Sequence, residues 1–247
     1  MRPSKPAAEM TQAELAAYID YSILKPEFTT ADVEREIRTA VELGCKTVCI
    51  NPAYIETALP LVKGTGTGIC VVIDFPFGTS STRSKVAQAK IALEHPIEDL
   101  DIVMNYGWLR GGETERVTED LRAVVELCHA KGVIVKTIME TDALTDDEIR
   151  AAAEAAIAAG ADFIKTSTGF YTGEPQHAAP GASDEMVALM MEAAAGRCLV
   201  KGSAAIRDRD HFLRLIDAGI DRMGIGYRST PVVLGLSGGA GIDGTGY

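Results

Sequence analysis

The feature that most constrains the fold of this chain is a unit in which an alanine-rich amphipathic helix ends at a glycine and a short apolar run begins about two residues later. The unit occurs in the stretches AVELGCKTVCIN, HAKGVIVKTIM, AIAAGADFIKTS and LIDAGIDRMGIG. Because the C-terminus of a helix often needs a residue in the left-handed conformation, we interpret four glycines as helix caps: Gly44, Gly132, Gly160 and Gly219. The repeat predicts helices and strands that alternate along the chain.

Apolar runs that could form strands recur along the whole sequence. They cover residues 17–20, 46–51, 68–74, 99–104, 133–139, 162–166, 198–202 and 222–226. Helical patterns fill the gaps, at residues 30–43, 52–62, 81–93, 113–130, 145–159, 183–195 and 207–218. Thr145 followed by Glu148 predicts a capping box at the start of one of these helices. Strands nearly continuous in Val, Ile and Leu, joined by helices, are typical of a parallel sheet that helices cover.

This arithmetic predicts a single-domain α/β protein, a (β/α)8 TIM barrel, because eight strand and helix units fit a chain of 247 residues. The active site of such a barrel lies at the C-terminal ends of the strands. We expect the barrel, with a short N-terminal helix, to occupy residues 1–234 and the glycine-rich stretch 235–247 to be a flexible tail. A doubly wound open sheet is the alternative, disfavoured because no G-x-G-x-x-G motif follows the first strand.

Charge and composition disfavour several classes of partner. The formal net charge of −11 repels nucleic-acid phosphates and anionic lipid surfaces. The N-terminus lacks the apolar segment of a signal peptide, and the longest apolar runs are far too short to span a membrane. Five scattered cysteines suit reduced thiols, so we expect a cytoplasmic protein. We expect no metal site, since no histidine or second cysteine pair lies near Cys45 and Cys49.

Three of the predicted strands carry an ionisable residue within an otherwise apolar run: Asp101 in DLDIVM, Lys165 in DFIKTS and Lys201 in CLVKGS. Strand side chains alternate between faces, so if the apolar neighbours pack on helices, all three charged side chains point into the barrel. Lys136 in VIVKTIM joins them if the isoleucines two residues before and after it also face inward. The alternative is a structural ion pair between Asp101 and one lysine, with the other lysine turned toward solvent.

Two lysines and a carboxylate in one cavity predict amine chemistry. Two ammonium groups about 4 Å apart repel by roughly 4 kcal/mol at an effective dielectric near 20, which brings the pKa of one amine from about 10.4 toward neutrality. A neutral amine attacks an aldehyde or ketone to form a Schiff base, and the iminium withdraws electrons so that a nearby carbon–carbon bond breaks or forms. The carboxylate and the second amine can then transfer the protons.

The same stretches resemble the motifs of deoxyribose-phosphate aldolases, the DeoC family of class I aldolases. They are IDYSILKP, TVCINP, DLDIVMNYG, VKTIMET, DFIKTSTGF and LVKGSAAIR, and the resemblance extends from about residue 17 to residue 233. It implies a (β/α)8 barrel, dimeric or tetrameric, that reversibly cleaves 2-deoxyribose 5-phosphate to acetaldehyde and glyceraldehyde 3-phosphate. It also implies that the reaction needs no metal and no other cofactor.

The resemblance implies a role for individual residues. Lys165 becomes the Schiff-base lysine, Lys201 the second lysine that lowers its pKa, and Asp101 the proton-relay acid. Some members of the family end in a tyrosine on a mobile tail that relays protons, so the last residue, Tyr247, is a further catalytic candidate. The candidate substrate-binding residues are Asp20, Lys136, Thr168, Gly169, Ser203, Arg207, Gly226 and Arg228.

The loops expected to bind the phosphate depart from the family pattern. Ala204 and Ala205 replace a Gly-Gly after the seventh strand, and Gly226 and Tyr227 replace a Ser-Ser after the eighth. A methyl group limits how closely an anion approaches the backbone, so phosphate recognition could be altered. The two arginines among the candidates could restore it, because a guanidinium binds phosphate or carboxylate through two hydrogen bonds.

Two further residues depart from the family pattern. Tyr21 stands where the family has a histidine, and Asp74 stands where it has a glycine before Phe-Pro. We expect either substitution to matter only if its side chain reaches the pocket.

The sequence leaves three functions open. The first is a class I aldolase acting on 2-deoxyribose 5-phosphate, and the second is an aldolase of the same family with a different or unphosphorylated aldol. The third is a catalytically silent barrel that binds a ligand, against which the joint presence of Lys165, Lys201 and Asp101 argues. The expected partners are a small sugar phosphate or aldehyde and further copies of the chain, as a homodimer or homotetramer, without nucleic acid or membrane.

Overall fold

The computed structural model describes residues 3–236, and its eight strands form a closed barrel in sequence order. Each strand is parallel to both of its neighbours, and the first pairs with the last to close the sheet. The predicted (β/α)8 barrel is therefore confirmed. The strands are β1 (Ile19–Ile23), β2 (Thr47–Ile50), β3 (Gly68–Ile73), β4 (Asp99–Val103), β5 (Ile134–Ile138), β6 (Phe163–Lys165), β7 (Leu199–Ser203) and β8 (Arg222–Gly226).

Helices surround the barrel and connect successive strands. None of those within residues 3–236 combines the length and the hydropathy that crossing a membrane requires. Short 3₁₀ turns lie at Ala7–Glu9, Pro52–Tyr54 and Thr141–Ala143. The α-helices are α1 (Gln12–Ala16), α2 (Thr30–Leu43), α3 (Ile55–Val62), α4 (Thr82–Ala92), α5 (Tyr106–Arg110), α6 (Thr114–His129), α7 (Asp146–Ala159), α8 (Asp184–Ala194), α9 (Arg209–Ala218) and α10 (Ser229–Val233).

The ends of the helices follow the local sequence signals closely. Thr145 accepts a hydrogen bond from the backbone N–H of Glu148 and completes the predicted capping box of α7. Gly44, Gly160 and Gly219 cap their helices in the left-handed conformation, with φ of 72°, 89° and 98°. The prediction for Gly132 was wrong, because α6 ends at His129 with Ala130 as its cap and the glycine lies in the following turn.

The first strand is where the predicted boundaries were least accurate. The apolar run at 17–20 predicts a strand, yet β1 begins at Ile19 and continues to Ile23, while Ala17 caps α1. Polar residues in the strand, Asp20 and Ser22, concealed its true extent because they face the barrel interior. The short helix α5 was also absent from the prediction, since its five residues are too few for a helical pattern.

The apolar core lies between the barrel and the helices. Leu100, Ile102, Ile164 and Val200 face outward from their strands and pack in it. A smaller apolar cluster inside the barrel contains Leu24, Cys49, Cys70 and Val72, with Phe75 and Phe170 packed against it. Because side chains alternate along a strand, the residues between the outward-facing ones point into the barrel, which is where the charged groups lie.

Candidate active site

Buried charged side chains converge inside the barrel. They come from six of the eight strands, and the most exposed of them has a relative accessible surface of 8%. Burying so many charges is tolerable only where opposite charges pair, since an isolated buried charge costs several kcal/mol, on the order of the whole net stability. The group consists of three carboxylates and four cations: Asp20, Asp99, Asp101, Lys136, Lys165, Lys201 and Arg222. We refer to these seven residues as the interior cluster.

The carboxylate of Asp101 lies at the centre of the interior cluster. Its Oδ2 atom accepts a hydrogen bond of 2.8 Å from Nζ of Lys165 and another of 2.8 Å from Nζ of Lys201. The two amines therefore cannot lie farther apart than twice that distance. The alternation of side chains along the strands predicts that Asp101, Lys165 and Lys201 meet inside the barrel, and the structure shows this arrangement.

The two amines differ in their other contacts. Nζ of Lys201 also lies 2.5 Å from Oδ2 of Asp20, whereas Lys165, within residues 3–236, has an ion pair with Asp101 alone. Burial lowers the pKa of Lys201, but Asp101 and Asp20 outweigh it and raise that pKa above the usual range. Lys201 is therefore a cation at neutral pH.

Asp101 is a carboxylate for a related reason. Burial raises its pKa, and the ammonium groups of Lys136, Lys165 and Lys201 lower it further than burial raises it, so the net pKa is well below the usual range. Its second oxygen, Oδ1, accepts hydrogen bonds of 3.1 Å from Nζ of Lys136 and 3.1 Å from Sγ of Cys70. A carboxylate shared by several amines is suited to moving protons between them.

Lys136 supports the cluster from the side opposite the barrel mouth. Its Nζ lies 2.5 Å from Asp99 and 3.5 Å from Asp20, in addition to its bond with Asp101. These carboxylates raise its pKa well above the usual range against the effect of burial. Arg222 completes this layer through a 2.8 Å bond from Nη1 to Asp20. The cation predicted as a substrate ligand is thus already surrounded by carboxylates.

A cavity at the barrel mouth lies beside the interior cluster. Two of its wall residues, Ala204 and Ala205, have φ of 68° and 61°, the left-handed region that usually requires glycine. The backbone at these two alanines therefore has the left-handed φ that a Gly-Gly would readily adopt. The lining residues are Gly169, Ala204, Ala205, Ile206, Arg207, Gly224, Gly226 and Ser229. Of the predicted substrate-binding residues, Gly169, Arg207 and Gly226 are in this wall.

The segment after β6 forms another part of the mouth. Thr168 bonds to the carboxylate of Glu140, and Gly169 has φ of 80°. The hydroxyl of Ser203 donates a 2.6 Å hydrogen bond to the carbonyl oxygen of Ser167. The predicted ligands Thr168 and Ser203 thus hold the loop in place through bonds within the protein.

Several singled-out residues lie away from the interior cluster. Tyr21 faces outward and donates a 2.8 Å hydrogen bond to Glu36. Asp74, with φ of 49°, accepts hydrogen bonds from the backbone N–H of Ser80. The guanidinium of Arg228 lies 5.3 Å from the ring centroid of Tyr227, and it is not among the residues that line the cavity at the mouth. Tyr247 lies outside the described residues.

The structure adds residues that the sequence prediction missed. Asp99 lies two residues before Asp101 on β4 and points to the same side, so the alternation of DLD already contained its signal. Arg222 begins β8, where an arginine is easily interpreted as a solvated strand end. Glu140 follows β5 and no periodic pattern marks it.

Two thiols of the apolar cluster lie beside a carboxylate of the interior cluster, and such groups are possible metal ligands. Ligand atoms of Cys49, Cys70 and Asp101 lie within 4.8 Å of one another. The oxygens of Asp101 are, however, bound to ammonium groups, and burial raises the pKa of Cys70 well above its usual value. This donor set is committed to amines, so its chemistry does not fit a bound cation.

Comparison with known proteins gives a consistent set of relatives. A model of the DeoC/LacD family aldolases matches residues 11–237. A deoxyribose-phosphate aldolase from Desulfitobacterium hafniense is 42% identical over 215 residues, covering 87% of this chain and 95% of that one. Another from Carboxydothermus hydrogenoformans is 40% identical over 217 residues, covering 87% and 92%. The solved structure of a tetrameric deoxyribose phosphate aldolase from Aeropyrum pernix superposes with a TM-score of 0.80 at 29% identity, covering 91% of each chain.

Proposed function

The chain belongs to the DeoC/LacD family of aldolases, and from this premise we propose that it is a class I aldolase. Its reaction is the reversible cleavage of 2-deoxy-D-ribose 5-phosphate to acetaldehyde and D-glyceraldehyde 3-phosphate, the activity for which its relatives are named. The observation that carries the proposal is the pair of lysine amines, Lys165 and Lys201, on one oxygen of Asp101 at 2.8 Å each.

Lys165 is the amine that forms the Schiff base. The interior cluster has four cations and three carboxylates, so loss of one proton balances its charge. Of the three lysines in the interior cluster, Lys165 pairs with a single carboxylate among residues 3–236, whereas Lys201 and Lys136 each contact more than one. Its neutral form attacks the C1 aldehyde of the sugar, and loss of water from the carbinolamine gives the iminium.

Cleavage then requires one proton transfer as the carbon–carbon bond breaks and another after it. A base removes the proton of the C3 hydroxyl, and the electrons of the C2–C3 bond move to C2 and form an enamine as glyceraldehyde 3-phosphate leaves. Protonation at C2 gives the iminium of acetaldehyde, and water releases the aldehyde and restores the amine. Asp101 and Lys201 lie within hydrogen-bond distance of one another and next to Lys165, so we assign the proton transfers to them.

The cavity at the barrel mouth is proposed to hold the 5-phosphate. Its wall contains Arg207 and the backbone of Gly169, Ala204 and Ala205, groups that can donate hydrogen bonds to an anion. The left-handed conformation of the two alanines supports this assignment, because it is the conformation that glycine favours at such a loop. An unphosphorylated aldol remains the competing substrate for this wall.

The chain is further proposed to act in the cytoplasm as a homo-oligomer. The relative from Aeropyrum pernix is described as a tetramer. Cys45, Cys49, Cys70 and Cys128 are free and buried, which suits a reducing compartment. Tyr247 lies outside the described residues. It stays a proposed proton relay because the chain ends in a tyrosine, as some members of the family do.

The proposal is tested by trapping and by kinetics. Borohydride reduction in the presence of acetaldehyde is expected to replace one amine hydrogen of the chain by an ethyl group, a net gain of C2H4, and peptide mapping should locate it on Lys165. Lys165→Ala should abolish the adduct and reduce cleavage on the order of 10⁴-fold. Lys90→Ala, at an exposed position on α4, is the matched control and should trap like the parent chain.

The substrate is tested by comparing kcat/KM for 2-deoxyribose with and without its 5-phosphate. A large preference for the phosphorylated sugar supports the phosphate assignment. Equal values would replace it with the unphosphorylated aldol. If the parent chain gives no adduct, the remaining hypothesis is a catalytically silent barrel that binds a ligand.

A further inference from the structure

Glu140 is a buried carboxyl group that the steps above do not use. It lies two residues beyond the end of β5, at the C-terminal edge of the barrel where the active site opens. Its relative accessible surface is 1%, and its φ of 58° is in the left-handed region that a glutamate rarely adopts. Strain and desolvation together are unfavourable, so a carboxyl group kept here points to a specific task.

The side chain of Glu140 bonds to the loop that follows the Schiff-base lysine, while its backbone carbonyl oxygen accepts a 3.0 Å hydrogen bond from the N–H of Ala143. Its carboxylate accepts hydrogen bonds from the hydroxyl of Thr168 and from the backbone N–H of the same residue, at 3.3 Å and 3.4 Å to the two oxygens. Its own N–H donates a 2.9 Å bond to the carbonyl oxygen of Thr166. Glu140 is thus bonded to the loop on both sides of Ser167.

Thr168 passes this restraint along the loop. Its hydroxyl donates its proton to Glu140 and accepts a 3.0 Å hydrogen bond from the backbone N–H of Phe170. A hydroxyl has one proton to donate, so an ionised acceptor at Glu140 fixes its orientation and leaves its lone pairs for Phe170.

The residues held in this way form two walls of the active site. Gly169 lines the cavity proposed for the phosphate. The ring of Phe170 meets that of Phe75 edge-on, with centroids 5.4 Å apart, and both pack on the apolar cluster inside the barrel. Displacement of Thr168 would therefore disturb the anion wall and the apolar wall together.

We infer that Glu140 is a positioning residue for the aldolase reaction, whose carboxylate holds the segment Thr168 to Phe170 in the shape that receives the sugar phosphate. The inference rests on the proposed function, because it assumes that the substrate contacting this wall is 2-deoxyribose 5-phosphate. Glu140 acts through Thr168 and does not itself contact the reacting carbons.

The ionisation of Glu140 makes the inference measurable. Burial raises its pKa to about 7, the hydrogen bonds from Thr168 oppose the rise, and the nearby carboxylate of Asp142 adds to it. The phenol of Tyr106, on α5, also lies near Glu140. Tyr106 in turn lies near Tyr171 and Arg110, so these three residues are the further titratable groups on this side of the carboxyl. Below about pH 7 the carboxyl is protonated and accepts hydrogen bonds more weakly, so the loop is held less firmly. Above that pH the ionised form holds it.

The test is the pH profile of Glu140→Gln with 2-deoxyribose 5-phosphate, from about pH 5.5 to about pH 9. The parent chain should lose kcat/KM as the pH falls through about 7, because KM rises as Glu140 takes up a proton. Glu140→Gln cannot titrate, so the rise in KM below about pH 7 should be absent, and KM at about pH 8 should be raised roughly tenfold, more than kcat falls.

Two further variants sharpen the result. Glu36→Gln removes another buried carboxylate, one that accepts a hydrogen bond from Tyr21 outside the barrel, and should keep the parent profile. Thr168→Val removes the hydroxyl between Glu140 and Phe170, and should reproduce the rise in KM. It also decides the matter if Glu140→Gln fails to fold.

The outcomes separate this inference from the function on which it rests. If the parent chain does not cleave the sugar phosphate, the proposed function fails. If the parent chain cleaves it while Glu140→Gln retains the rise in KM below about pH 7, or Thr168→Val retains the parent KM, the assignment of Glu140 is overturned and the function stands.

Discussion

The interior cluster and the cavity at the barrel mouth are built by different means. In the interior cluster, side chains from six strands carry the charges, and each charge lies against an opposite one, as Lys201 does against Asp20 and Asp101. At the mouth, the wall is largely backbone, shaped by positive φ at Gly169, Ala204 and Ala205. The comparison indicates that the chemistry of the interior cluster depends on which side chains are present. Substrate binding at the mouth depends more on the path of the main chain.

The two regions should therefore respond differently to substitution. Removing one partner of a buried ion pair costs about 3–5 kcal/mol because the other charge is left uncompensated. Changing a side chain on a backbone wall leaves the hydrogen-bonding groups in place as long as φ is preserved. Large effects on chemistry are expected inside the barrel, and smaller effects, confined to substrate selectivity, are expected at its mouth.

The largest effect in this comparison is expected from Lys201→Leu. The change leaves three carboxylates facing three cations, so the cluster is neutral only when Lys165 keeps its proton, and the neutral nucleophile becomes rarer. We expect cleavage to fall roughly 10²–10⁴-fold. The pH of half-maximal borohydride trapping should rise by about one unit or more. Trapping followed over a series of pH values measures the shift directly.

The matched control for this prediction is Lys46→Leu. Lys46 pairs with Glu98 at a partly exposed position on the opposite end of the barrel, and its loss should leave the trapping profile where it was. An unchanged profile in Lys201→Leu would mean that the second ammonium group does not govern the reactivity of the first.

Strand parity made the interior cluster largely predictable from the sequence. A single lysine or aspartate in an apolar strand such as DFIKTS or DLDIVM has only two possible directions, and the apolar neighbours choose between them. Asp20 was harder to place, because Tyr21 and Ser22 made its strand resemble a loop, and its partnership with Lys201 requires the closed barrel.

The cavity at the mouth was much less predictable, for a physical reason. The effect of Ala204 and Ala205 depends on their φ, which is fixed by long-range contacts such as the 3.1 Å bond from Ala182 N–H to the carbonyl oxygen of Ala204. The role inferred for Glu140 likewise depends on a long-range contact, the hydrogen bond that it accepts from Thr168, 28 positions away. Neither arrangement leaves a periodic signal in the sequence.

An intermediate effect is expected from Arg207→Gln. Arg207 supplies the charged side chain among the residues that line this cavity, so its loss should weaken binding of the 5-phosphate by about 1.5–3 kcal/mol. The ratio of kcat/KM for phosphorylated over unphosphorylated deoxyribose should fall roughly 10–100-fold, while trapping with acetaldehyde changes little. Arg214→Gln, at an exposed arginine paired with Asp184, is the control and should preserve the ratio. A preserved ratio in Arg207→Gln would remove this residue from phosphate binding.

The smallest effect is expected from Ala204→Gly and Ala205→Gly, and these variants test the comparison most directly. A non-glycine residue in the left-handed region costs roughly 1–2 kcal/mol, while glycine returns about 0.5–1 kcal/mol of that in unfolded-state entropy. The thermal stability should therefore change by no more than a few degrees. Because the backbone already follows the path that a Gly-Gly would take, KM for the sugar phosphate should change by less than about fivefold.

A much larger gain in affinity from either glycine would contradict this account of the mouth. It would mean that the two methyl groups stand where the phosphate oxygens need to be, and that the wall is shaped by side chains as the interior is. The natural substrate would then be an aldol without the phosphate, cleaved by the same pair of lysines. Measuring both sugars with both variants distinguishes the cases, because a blocking methyl group depresses kcat/KM for the phosphorylated sugar alone.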